Sequence, residues 1–114
     1  MRLLEKKENE ISIPYNIKKA DSFFTRLRGL MFRKEPLNEE GLWIIPCNSI
    51  HMCFMNFSID AVFLDKDNKI VRTVTELKPW TFVAPVKGSC SVLELPANSI
   101  KKLKLTEGQH LILD

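Results

Sequence analysis

Ala61-Val62-Phe63-Leu64-Asp65-Lys66-Asp67-Asn68-Lys69-Ile70-Val71-Arg72-Thr73-Val74 is the stretch that decides the fold. Two apolar, β-branched runs flank five residues that tolerate turn geometry, so residues 61–64 and 70–74 are predicted to pair as a hairpin. The β pattern extends outward from it. Upstream, residues 42–45 are an apolar run closed by Pro46, and residues 49–54 alternate. Downstream, residues 82–83 and 92–95 are further candidate strands. Residues 96–103 suit one helical turn, Glu107-Gly108 a turn, and residues 109–113 a last strand. Seven or more short strands at this spacing predict a mainly β fold, a compact antiparallel sandwich or barrel.

Before residue 41 the period changes. Residues 10–15 alternate, with Pro14 near the end or at an edge. Residues 17–20 continue that strand or pair with it. Phe23, Phe24, Leu27, Leu30 and Met31 then fall at i, i+1, i+4, i+7 and i+8, one apolar stripe of an α-helix. Asp21 or Ser22 is a suitable N-cap, and Pro36 disfavours helix at Glu35. One long helix is expected, near residues 21–32.

With 114 residues the chain has room for a single domain, 1–114, and one core. Its 45% hydrophobic and 27% charged residues exclude disorder and fibrous repeats. A net charge of +3, scattered along the chain, does not point to nucleic acid. The N-terminus has positive charge but no apolar run of a secretory signal. No stretch approaches the roughly 18 apolar residues that span a bilayer. A cytoplasmic protein without a membrane partner is therefore expected. Cys47, Cys53 and Cys90 are odd in number and form no Cys-x-x-Cys, so free thiols are expected. Cys90 reads as a small strand residue.

Several segments recur in a recognisable order. Arg28-Gly29-Leu30-Met31-Phe32-Arg33 follows the helix, then Gly41-Leu42-Trp43-Ile44-Ile45-Pro46-Cys47. Ser49-Ile50-His51-Met52-Cys53-Phe54-Met55, Ile59-Asp60-Ala61-Val62-Phe63-Leu64-Asp65 and Val92-Leu93-Glu94-Leu95-Pro96-Ala97 complete the set. Over about residues 20–113 this order resembles the family called domain of unknown function 192, small bacterial and archaeal proteins. The resemblance implies a jelly-roll-like or sandwich fold and carries no established activity; a bacterial source is the expectation. Asn98 stands where relatives tend to have glycine, which implies a different turn. Met52 stands where many have threonine, so any hydroxyl role there is lost.

If extended, the segment from Cys47 to Met55 turns Cys47, Ser49, His51, Cys53 and Met55 to one face, and Ile50, Met52 and Phe54 to the core. That face carries soft-metal donors. Alternate strand residues stand about 6.5–7 Å apart, however, and metal bonds are about 2.0–2.3 Å, so His51 and Cys53 share reach to one ion, while Cys47 needs a sharp bend at Pro46 and Asn48. A thiol nucleophile paired with His51 needs a third group to orient the imidazole, and Asp60 is the candidate. The plainer reading of His51 is a half-buried side chain holding a loop. Asp60 enters an apolar run, which requires hydrogen bonding, either to backbone N–H groups or to an arginine. Glu94 lies opposite Leu93 and Leu95 by alternation, and solvent exposure is its simplest explanation.

Arg26 and Arg33 share a helix side with Gly29 between them. A mid-helix glycine costs about 1 kcal/mol, so close packing or an early helix end is implied. The functional alternative is an anion or carboxylate approaching over Gly29. The lysines at 6–7, 18–19 and 101–104 lack interleaved aromatics and read as solvated. No phosphate loop or nucleophile elbow is present, and no cofactor is indicated.

These features predict a ligand-binding or accessory module for a small molecule or peptide. His51 and Asp60 are expected close together at the cleft mouth, with Arg28 or Arg33 supplying charge and Cys47 and Met55 lining it. The alternatives are a small enzyme using His51 with Asp60 or a cysteine, and a soft-metal site at His51, Cys53 and Met55.

Overall fold

The computed structural model describes residues 10–113, the side chains of Phe23, Phe24 and Leu27 excepted. The apolar stripe expected on those three, and the Lys6-Lys7 pair, lie outside the described residues. In chain order the elements are β1 (Glu10–Ser12), β2 (Asn16–Ala20), α1 (Phe23–Arg28), β3 (Glu40–Ile44), β4 (Ile50–His51) and β5 (Ile59–Leu64). They continue with β6 (Ile70–Leu77), β7 (Phe82–Val83), β8 (Ser91–Pro96), α2 (Ser99–Lys102) and β9 (His110–Ile112). The protein is mainly β, and no barrel closes among the described residues.

The deciding hairpin forms as β5 and β6. The Asp65 carboxylate accepts the N–H groups of Asp67 and Lys69 at 2.8 and 2.9 Å, and Asn68 takes positive φ. The central sheet has the order β2-β3-β8-β5-β6. Its pairs are antiparallel except β2 with β3, which run parallel. That departs from an all-antiparallel sandwich, because the connection through α1 brings the chain back in the same direction. β1 and β9 form a second parallel pair, and β4 and β7 an antiparallel one.

α1 is shorter than residues 21–32. It begins where Ser22 and Thr25 exchange side-chain and backbone hydrogen bonds at 3.1–3.2 Å, a reciprocal cap. It stops at Gly29, whose φ of +49° leaves the helical region. The glycine therefore marks an early helix end. A Cβ added there would meet nothing nearer than 3.9 Å, so close packing at that atom is not its reason. The tightly packed glycine is Gly41, where a Cβ would lie 2.8 Å from Ile17 Cδ1 and 3.0 Å from Glu94 O. Asn98 holds φ +74° before α2. Asparagine shares glycine's tolerance of that region, so the replacement does not by itself require a different turn.

The inner strands β5 and β8 of the central sheet are buried on both faces. Ile59, Ala61, Phe63 and Val92 belong to one apolar cluster, with Leu30, Ile50, Met52 and Met55 packed over them. Val62, Leu64, Leu93 and Leu95 belong to the other, under Ile100, Leu105 and Leu111. This explains why β5 reads as an unbroken apolar run rather than an alternating one.

Candidate functional site

The segment after β3 turns back over the first cluster instead of running on as a strand. The Ile45–Pro46 peptide is cis. Cys47 N–H donates to Cys90 O at 2.9 Å, fixing the segment to the start of β8. Only Ile50 and His51 are extended, in register with Val83 and Phe82. His51 and Phe82 thus stand side by side on one face. A turn follows: Met55 N–H donates to Met52 O, and Phe54 takes φ +61°. The expected alternation breaks there. Met55 goes to the core and Phe54 to the surface, the reverse of the sequence expectation.

Between this segment, α1 and β7 lies an open cleft of about 720 Å³. Arg26, Cys47 and His51 line its polar side, and Phe82, Val83 and Pro85 its apolar side. Beneath it is a void of about 40 Å³ that shares Arg26, Cys47, Ser49, Ile50 and His51 with the cleft. Arg28, Gly29, Met55 and Glu94 also line the void.

Glu94 is the residue that sequence reasoning misplaced. Alternation does set it opposite Leu93 and Leu95, but the face it shares with Val92 is covered by the first cluster. It is 4% exposed, and its Oε1 has no hydrogen-bond partner. Of the four partnerless buried side-chain polar atoms among the described residues, this is the one on an ionisable group. Burial pushes its carboxyl up to about 8, so it keeps its proton at neutral pH. The missed signal was the unbroken apolar run of β5: where a strand is covered on both faces, an acid in its neighbour is covered too.

Arg26, which is not among the site residues expected from the sequence, also lines the cleft and the void. Its Nε donates to Ser22 O at 3.3 Å and its Nη1 to Pro46 O at 3.2 Å. These carbonyls hold the guanidinium at the cleft, and it has no acidic partner among the described residues. His51 Nδ1 accepts the Cys53 N–H at 3.3 Å, which leaves Nε2 as the free ring nitrogen. Cys47 Sγ donates to Ser49 O at 2.9 Å. Burial is the main cause that raises the thiol's pKa, and Glu94 adds to the rise while Arg26 opposes it.

Of the six expected site residues, Arg28, Cys47, His51 and Met55 meet around the void. Asp60 and Arg33 do not. Asp60 follows the parity of Val62 and Leu64, on the sheet face away from His51. It is fully buried, and it accepts the Glu76 N–H at 3.0 Å and the Ile100 N–H at 2.8 Å. The register shift between Ile59 and Ala61 creates this need, since the longer opposite strand leaves the Glu76 N–H without a sheet partner. The expected His51–Asp60 juxtaposition is therefore corrected, and the backbone-bonded reading of Asp60 holds. Arg33 is engaged by the Glu40 carboxylate and by Glu35 O at 2.9 Å. Cys90 is exposed just before β8 rather than inside a strand. All three cysteines are free. Among the described residues no group of three His, Cys, Asp or Glu side chains is placed to hold a metal, and burial of Met55 removes it from Cys53's side of the cleft.

A two-faced mixed sheet with a cleft over a buried acid defines a small, mainly β cleft domain. The chain belongs to the DUF192 family, described as uncharacterized ACR, whose model matches residues 4–113. A UPF0127 protein of Pyrococcus furiosus is 36% identical over 92% of this chain and 90% of its own length. A UPF0127 protein of Thermococcus sibiricus is 36% identical over 83% of this chain, which spans 64% of that protein's length. These relatives are archaeal, so the expected bacterial source is not borne out. A Novosphingobium aromaticivorans protein of unknown function shares the fold, with TM-score 0.73 and 21% identity over 84% of this chain and 73% of that one. Among the described residues no helix is long and apolar enough to cross a membrane.

Proposed function

We propose that the domain is a small-molecule binding module whose ligand occupies the cleft and presents a polar group to Glu94. The observation that carries this is the partnerless Glu94 oxygen in a void next to an open cleft. An unsatisfied buried acid is costly, and a ligand that completes its hydrogen bonding offsets that cost. The cleft also has the composition of a ligand site, mostly apolar walls with a few convergent polar groups. Binding is favoured over cysteine catalysis because the Cys47 thiol is held protonated and faces a carbonyl rather than His51. A reducing, cytoplasmic setting is part of this reading, supported by the three free thiols.

The test is a thermal-shift screen of metabolites, with hits mapped by amide chemical shifts. Hits are expected to move His51, Phe82 and Val83. Phe82→Ala removes a ring that is 73% exposed, so it should weaken the hits without lowering the melting temperature. Hits that map only elsewhere, or a screen without any, would overturn the proposal.

A further inference from the structure

The groups around the void also select the chemistry of the ligand, an inference that rests on the cleft being its site. We propose that the cleft takes a small organic carboxylate, one oxygen bound by the Arg26 guanidinium and the other accepting the proton of the Glu94 carboxyl.

Three observations converge on that class. First, Arg26 is pinned by the Ser22 and Pro46 carbonyls, which use Nε and Nη1 and leave donors free. No acid engages it among the described residues, and Arg28 adds a second positive charge at the void. A planar guanidinium with free N–H groups matches a carboxylate. Second, the Glu94 carboxyl offers one O–H, because burial keeps it protonated up to about pH 8. A group placed between a guanidinium and an O–H must accept from both and gains from negative charge. A cationic ligand meets the two arginines first, and a neutral hydroxyl accepts from the guanidinium without balancing its charge. Third, the void of about 40 Å³ has room for little more than one water-sized group. A planar carboxylate can send one oxygen down and keep the other at Arg26, whereas a bulkier tetrahedral anion stays in the open cleft.

Gly29 fits the same arrangement. A Cβ there would lie 3.9 Å from Glu94 Oε1, so the glycine borders that oxygen without crowding it. Ile50, Phe82, Val83 and Pro85 form the apolar wall above, suited to an aryl or alkyl body. The charged or titratable groups facing Glu94 are Arg26 and Arg28 from α1 and its end, with Cys47 and His51 from the segment after β3. The arginines keep their charge and the half-buried thiol its proton, so Glu94 and His51 are the groups to separate by mutation.

The experiment titrates three probes of one shape, benzoate, benzyl alcohol and benzylamine, into the full chain while recording amide shifts at His51 and Phe82. Benzoate is expected to bind best at neutral pH. Its apparent Kd should rise about tenfold per pH unit above about 8, as Glu94 loses its proton. Glu94→Gln is permanently uncharged and keeps a donor, so it should bind benzoate without that slope. Arg26→Ala should weaken benzoate about tenfold or more throughout. His51→Gln should keep the slope, which excludes the imidazole as its source. Intact amide spectra of each variant confirm folding. If benzoate binds with a level Kd in the wild type, or with the same slope in Glu94→Gln, the carboxylate assignment is overturned. If benzylamine or benzyl alcohol moves the cleft amides and benzoate does not, the assignment fails while the cleft stands as the site. If none of the three moves them and the metabolite screen also finds no cleft ligand, both proposals fall.

Discussion

Glu94 ionises at its ordinary value of 4.5 when the chain is unfolded, and only near 8 when it is folded. Between those values the unfolded state has released a proton that the native state retains. Stability is therefore intact below about pH 4.5, falls as pH rises to about 8, and is level beyond. The loss from this one group is at most about 4–5 kcal/mol, since a tenfold change in proton affinity is worth about 1.4 kcal/mol. Urea unfolding of Glu94→Gln across this window should lack that component, whatever its absolute stability. Asp60 is the contrasting buried acid, with each oxygen accepting a backbone N–H. Asp60→Ala strands both donors and should cost about 2–4 kcal/mol in a denaturation midpoint comparison. The thiols differ as well. Cys90 is exposed, while Cys47 is half-buried, hydrogen-bonded and raised in pKa. Iodoacetamide followed by peptide mapping should label Cys90 well before Cys47.

At the scale of elements, β2 and β8 crowd Gly41 of β3 from both sides. A methyl group there meets Ile17 Cδ1, Leu95 Cδ2 and the Glu94 carbonyl at 2.8, 2.9 and 3.0 Å. The carbonyl cannot yield without moving the central strand, so Gly41→Ala should cost about 1–3 kcal/mol. Gly108 sits in open space at φ +95°, where alanine meets only backbone strain of about 1 kcal/mol. Gly41→Ala is accordingly expected to be the more damaging, read as the larger drop in denaturation midpoint. The short helix shows how local signals divide. Its cap was visible in Asp21-Ser22, with Ser22 doing the capping. Its apolar spacing runs on to Leu30 and Met31, yet the helix ends first because Gly29 adopts positive φ. Leu30 is nevertheless buried, since the turn after the helix still delivers it to the core.

Across the whole molecule, both apolar clusters are anchored on β5 and β8, which pair along six positions. Opening either strand exposes both clusters at once. Amide exchange should therefore be slowest in Ile59–Leu64 and residues 92–95, and much faster in the two-residue strands β4 and β7 beside the cleft. Equal protection in these regions would count against that division. Such a division suits a ligand site, because a rigid sheet holds Glu94 while the less protected wall carries His51 and Phe82. A separate surface feature joins three loops: Phe32, Phe54 and Trp80 are exposed, with ring centroids 5.0 and 4.9 Å apart, and all three take positive φ.

The strands, the hairpin turn, the helix start and the free thiols were legible in the sequence because each depends on local periodicity, turn chemistry or composition. That Arg28, Cys47 and His51 come together around one void was also anticipated, whereas Met55 reaches it from the core side, because the turn after His51 breaks the alternation. Direction and depth were not legible. Whether β2 and β3 run parallel depends on how the chain crosses through α1. Whether Glu94 faces water or a void depends on what covers the Val92 side of the sheet. Asp60 and His51 are only nine positions apart, yet the sheet separates them, because strand parity sends Asp60 to the opposite face. Sequence sets which side of its own strand a residue takes, but only the packed structure sets what lies on that side.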